Sequence, residues 1–134
     1  MALKPPGKPL DGFTNASYVL PYPPSVNHYW RVVRGRPIIS REGRAYREHV
    51  RLIRPTHGGR PIAGRLVVSI TAHTPDRRAR DLDNLLKALL DALQHAGAYA
   101  DDAAIDDLRI RRGDVIRPAW CQVWIEQVSG RLPS

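Results

Sequence analysis

Residues 65–95 read RLVVSITAHTPDRRARDLDNLLKALLDALQH, and this stretch decides the fold. Its first nine residues alternate. Leu66, Val68, Ile70 and Ala72 share one face and Val67, Ser69 and Thr71 the other, the period of a half-buried strand. A charged turn follows at residues 74–80 (TPDRRAR), and the period then becomes helical. Leu82, Leu85, Leu86, Leu89, Leu90 and Leu93 make a broad apolar stripe over Leu82–His95. Gly97 stands where a helix commonly terminates.

Toward the C-terminus, residues 98–103 (AYADDA) read as a short acidic loop. Ile105–Arg112 alternates Asp and Arg with Leu108 and Ile110, the pattern of a strand, and residues 114–118 turn. Trp120–Val128 (WCQVWIEQV) alternates again, with Cys121, Val123 and Ile125 on one face.

Toward the N-terminus, Ser40 is an N-cap candidate for a helix running to about Arg54. Tyr46, Val50 and Ile53 would form its apolar face. Arg44, Arg47, Arg51 and Arg54 form the opposite one, a stripe that is either solvated or turned to phosphates. Pro55 and Gly58-Gly59 end the helix. Residues 28–39 (HYWRVVRGRPII) read as an ordered basic loop or irregular hairpin. Pro23 and Pro24 exclude regular structure over Tyr22–Asn27, and Ser17–Pro21 is a short strand. Residues 1–16 read as a flexible basic tail and 131–134 as a C-terminal tail, leaving 17–130 as one domain. The order β-α-β-α-β-β favours an α+β or α/β domain with one mixed sheet, and the expectation is α+β, with two helices packed on the sheet.

Charge points to a partner. The 134 residues carry 21 Lys and Arg against 13 Asp and Glu, a formal charge of +8. Residues 1–65 hold twelve of the basic groups and three of the acids, and ten acids fall in the second half. That balance fits a polyanion, nucleic acid first, held by salt-sensitive phosphate contacts. Arg31, Arg34, Arg36, Arg44, Arg47, Arg77, Arg78 and Arg80 are the candidate DNA-binding residues. Tyr29 or Trp30 would either stack on exposed bases or serve the core.

Other classes find no support. A single cysteine, Cys121, forms no disulfide within the chain and reads as a core residue. No run of about 18 apolar residues suggests a membrane span. The first residues carry no apolar signal core, so a cytoplasmic location is expected. No phosphate-binding loop, dinucleotide fingerprint, H-E-x-x-H or nucleophile elbow occurs, and a nucleotide cofactor is not expected. The five histidines show no paired ligand spacing, which speaks against zinc.

The chemistry concentrates in Asp76–Asp102. Asp81 and Asp83 form a D-x-D pair where the turn enters the helix. They either satisfy the helix start or serve as hard oxygen ligands for a divalent ion. Lys87 lies one turn beyond Asp83 and is the only lysine past residue 8. It either makes an exposed ion pair or stabilises charge on a phosphate. Asp101 and Asp102 follow the helix and add a further carboxylate only if the chain returns toward the D-x-D pair.

The run PDRRARDLDNLLKALLDAL, followed by GAYADDAAI, resembles the RusA-family Holliday junction resolvases, as does LPYPPSVNHYWRVVRGRPIISREGRAYREHV. The resemblance spans roughly Tyr18 to Val128. It implies a homodimeric, Mg²⁺-dependent endonuclease, with Mn²⁺ able to substitute. Such an enzyme nicks two opposing strands of four-way branched DNA in recombination and repair. It implies Asp81, Asp83 and Asp102 as catalytic metal ligands, with Asp101 an adjacent competitor, and Lys87 as the catalytic lysine. Ala98 and Ala100 depart from the bulkier residues expected beside Tyr99, which bears on cut-site preference. The alternatives are a DNA-binding protein without catalysis and a metal-dependent nuclease for other branched DNA or RNA.

Overall fold

The computed structural model describes residues 15–53, 61–77 and 82–128. Four strands form one mixed sheet in the order β1-β6-β4-β5, with β1 Asn15–Pro21, β4 Leu66–His73, β5 Ile105–Arg112 and β6 Trp120–Gln127. β6 runs antiparallel to both β1 and β4, while β4 and β5 are parallel. A parallel pair needs a long crossover, and the stretch between β4 and β5 supplies it with helix α3, Asp83–His95. The second helix, α2, spans Arg41–Arg51.

The core lies between one sheet face and these two helices. Ala16, Tyr18 and Leu20 of β1, alternate residues Leu66 to Ala72 of β4, and Cys121, Val123 and Ile125 of β6 are all buried there. They join Tyr46 and Val50 of α2 and Leu85, Ala88, Leu89, Ala92 and Leu93 of α3 in one cluster. The expected leucine stripe is therefore narrower than its sequence pattern. Leu82, Leu86 and Leu90 run down its flank and are only partly buried, and Ala88 and Ala92 take central places. Small residues there let the helix approach the sheet closely.

Both helix ends obey local chemistry. The Ser40 hydroxyl accepts from the Gly43 amide at 2.9 Å, capping α2 as expected. Gly97 follows α3 with φ +84°, a left-handed conformation suited to glycine. Helix α2 ends at Arg51, earlier than the expected Arg54, which lies outside the described residues together with Pro55 and the Gly58-Gly59 pair.

Residues 26–39 are more regular than expected. Val26–Tyr29 forms a single helical turn, α1, so the proline-rich segment gives way to helix at Val26 rather than after Asn27. Trp30–Val33 (β2) and Arg36–Ile39 (β3) then make a regular two-stranded antiparallel hairpin, separate from the main sheet. Arg34 (φ 52°) and Gly35 (φ 77°) form its two-residue turn. Positive φ at both turn positions matches the natural strand twist. Strand β1 begins at Asn15, two residues inside the segment read as tail, and residues 1–14 are outside the described set. Residues 102–104 add a short 3₁₀ turn to the expected acidic loop.

Candidate active site

The first helical residue of α3 is Asp83, and the cap position is held by Leu82, which offers no capping side chain. A carboxylate in the first turn is stabilised by the positive end of the helix. Asp83 is exposed, and so is Lys87 one turn further on. Neither side chain has a hydrogen bond or ion pair among the described residues, so the i,i+4 pair considered for them does not form. An uncommitted carboxylate and an uncommitted ammonium thus share one accessible end of the helix. Asp81, Arg78 and Arg80 lie outside the described residues, and Arg77 is exposed just ahead of them.

The chain after α3 folds back on the helix. The backbone amide of Asp102 donates to the Gln94 side chain at 3.1 Å. The buried Tyr99 hydroxyl donates to the Leu90 carbonyl at 2.8 Å. Burial first, and then the Asp102 carboxylate beside it, holds this phenol far above its ordinary acidity range. Asp102 therefore lies beside the C-terminal half of α3, whereas Asp83 opens the helix. Asp101 is engaged otherwise, because its carboxylate accepts from the Ala103 amide at 2.9 Å and caps the 3₁₀ turn. Of the two adjacent acids, Asp102 keeps its carboxylate exposed and off the backbone.

Among the described residues, no three His, Cys, Asp or Glu side chains converge as a metal site. The donor chemistry still suits Mg²⁺. Asp83 and Asp102 are exposed hard oxygen donors, and this ion binds through one or two carboxylates while keeping waters and substrate oxygens.

The basic residues divide into two groups. Arg31, Arg34 and Arg36 are exposed on the hairpin and have no carboxylate partner among the described residues. Arg44 is exposed as well and reaches the Ile39 carbonyl at 3.3 Å. Arg47 is a correction to the sequence reading. Its Nε donates to Asp91 Oδ2 at 2.7 Å and its terminal nitrogen to Oδ1 at 3.1 Å, a bidentate fork. Its guanidinium also lies 5.7 Å from the Trp30 ring centroid. Arg47 is spent on holding α2 to α3 and is not a free phosphate ligand.

Tyr29 completes that cluster. It is fully buried, its hydroxyl donates to Asp91, and burial first and then this contact raise its pKa well above the usual phenol range. Of the two aromatics weighed for base stacking, Tyr29 thus belongs to the core, and Trp30 is half-buried against it with ring centroids 5.2 Å apart. The sequence reading passed over Asp91. Its signal was the spacing Asp83, Lys87, Asp91, which places one acid of α3 against the arginine face of α2.

The model of the family "Endodeoxyribonuclease RusA" matches residues 21–126. A crossover junction endodeoxyribonuclease of Enterobacteria phage HK97 is 47% identical over 97 residues, 72% of this chain and 81% of its own. The crossover junction endodeoxyribonuclease RusA of Shigella sonnei is 43% identical over 113 residues, 84% of this chain and 94% of its own. A crossover junction endodeoxyribonuclease of Enterobacteria phage 82 is 44% identical over 110 residues, covering 81% and 92% of the two chains. No described helix is long and apolar enough to cross a membrane.

Proposed function

The chain belongs to the RusA family of endodeoxyribonucleases, and from that premise we propose that it resolves four-way DNA junctions by metal-dependent hydrolysis, as a homodimer acting in recombination and repair in the cytoplasm. The observation that carries this reading is the exposed, uncommitted pair Asp83 and Lys87 at the start of α3, within a chain whose relatives bear the name crossover junction endodeoxyribonuclease.

Asp81, Asp83 and Asp102 would hold Mg²⁺, or Mn²⁺ in its place. When bound, the ion would neutralise phosphate charge and lower the pKa of a water. The chain's own residues do the rest. Lys87 stabilises negative charge growing on the phosphoryl oxygens. Arg77, with Arg78 and Arg80, grips the neighbouring phosphates, and Arg31, Arg34, Arg36 and Arg44 hold a junction arm. Asp83 opens α3 and Asp102 lies beside its C-terminal half, so in the proposed homodimer a second copy would bring its Asp102 to the first copy's Asp83. A two-fold pair of sites also suits two opposed strands.

Cleavage of a synthetic four-way junction with and without Mg²⁺, beside Asp83→Asn and a linear duplex, tests the reading. Paired metal-dependent nicks in the junction alone, absent in the variant, support it. Tight binding without cleavage under either ion would replace it with a non-catalytic DNA-binding protein.

A further inference from the structure

The β2–β3 hairpin carries a surface that the nuclease chemistry does not use. Cross-strand partners point to the same side of a ribbon. Trp30 pairs with Ile39 and Val32 with Pro37, so these four make one wholly apolar face. Arg31 pairs with Ile38 and Val33 with Arg36, giving the other face two guanidinium groups, and Arg34 adds a third at the turn. Trp30 and Ile39 are half-buried against the core. Beyond them the apolar face emerges into the open, with Val32 73% exposed and Pro37 exposed opposite it.

The ribbon is held firmly at its base. The Ser40 amide donates to the Tyr29 carbonyl at 2.9 Å, and the Ser40 hydroxyl donates to the same carbonyl at 2.9 Å. The Tyr29 hydroxyl donates to Asp91, one turn beyond Lys87 on α3. The hairpin is therefore anchored to the helix that carries Asp83 and Lys87.

An apolar tip on one face of the ribbon, backed by three arginines with no carboxylate partner among the described residues, matches one chemical target. Phosphates would meet Arg31, Arg34 and Arg36, and Val32 with Pro37 would need an apolar surface between those phosphates. In continuous duplex the flat faces of base pairs are covered by stacking, and opening a step costs a few kcal/mol. At a branch point two strands pass between arms, so parting the stacked arms breaks no continuous duplex and the wedge seats at a lower cost. Resting on the proposed function for its substrate, we propose that Val32 and Pro37 form a wedge against the exposed base-pair faces of a DNA branch point. The three hairpin arginines fix the adjoining phosphates. The wedge would then supply selectivity for junction over duplex, which phosphate contacts alone cannot.

The test compares binding of a four-way junction and a matched linear duplex in Ca²⁺, which permits binding without hydrolysis, together with sedimentation of the free protein. Val32→Thr keeps the β-branched shape and adds a hydroxyl. It is expected to weaken junction binding about tenfold and leave duplex binding unchanged. Pro37→Thr gives the same pattern should Val32→Thr disturb the ribbon. Arg34→Asn tolerates the positive φ and is expected to weaken both complexes equally, lowering the salt slope by about one. Equal loss on junction and duplex with Val32→Thr and Pro37→Thr would overturn the wedge. So would a fall to monomer in sedimentation, since the tip would then be a contact between two copies. A wild-type chain with no junction preference would overturn the proposed function and this assignment with it.

Discussion

Arg47 Nε sits 2.7 Å from Asp91 Oδ2, and this contact ties α2 to the helix that carries Asp83 and Lys87. The side chains are 21% and 28% exposed, shielded enough to strengthen the pair beyond a surface salt bridge. Asp91→Ala strands Arg47 and removes the Tyr29 acceptor. A loss of about 1–3 kcal/mol is expected, read by urea denaturation. Asp91→Asn keeps an acceptor for Tyr29 and is expected to lose less. Equal stability of Asp91→Ala and the wild type would show that the network does not hold the helices.

Asp83→Asn is expected to keep fold and junction affinity and lose cleavage, because an amide is not an anionic ligand. Lys87→Ala is expected to lower single-turnover cleavage by a factor of about 100 or more, with melting temperature unchanged. Normal turnover in either folded variant would remove that residue from the chemistry.

Mixing Asp83→Asn with Asp102→Asn gives a test of the separation between these acids. If the partner supplies Asp102, a mixed dimer holds one intact site and one doubly altered site. Single-strand nicking is then expected from the mixture, although each variant alone is inactive. An inactive mixture of exchanging subunits would place all ligands of a site on one chain.

Gly43 lies where α2 passes under the hairpin. A Cβ there would stand 2.5 Å from the Tyr29 carbonyl oxygen and 2.7 Å from Ile39 Cγ1. Gly43→Ala is expected to destabilise by about 1–3 kcal/mol despite alanine's better helix propensity, because backbone atoms must move. Thermal unfolding measures it, and a stabilised variant would contradict the close approach.

Cys121 is buried on β6, and burial pushes its thiol up to about 12. The unfolded thiol ionises near pH 8.5, so this group favours unfolding as pH rises above that value and is neutral below it. Ellman's reagent at pH 8 is expected to label Cys121 only after denaturant is added. Rapid labelling of the native chain would mean that β6 opens readily.

The period of two in Leu66–Ala72 and in Cys121–Ile125, and the helical period from Leu82 to Leu93, were legible in the sequence because they record burial, which each segment carries in its own pattern. Ser40 and Gly97 were legible as helix ends for a local reason too, since a cap and a left-handed residue are set by near neighbours. The D-x-D-N-x-x-K run was legible as a candidate site because it is contiguous. What the sequence could not determine is pairing between distant segments. The helical period of α2 put Arg47 among its arginines, and only the packing of α2 on α3, 44 positions away, turned that side chain from the solvent to Asp91. The same holds for Asp102, whose distance from Asp83 depends on how Tyr99 and Gln94 seat the returning chain. It holds also for the hairpin tip, where Val32 reads as one more apolar residue until the fold leaves it 73% exposed.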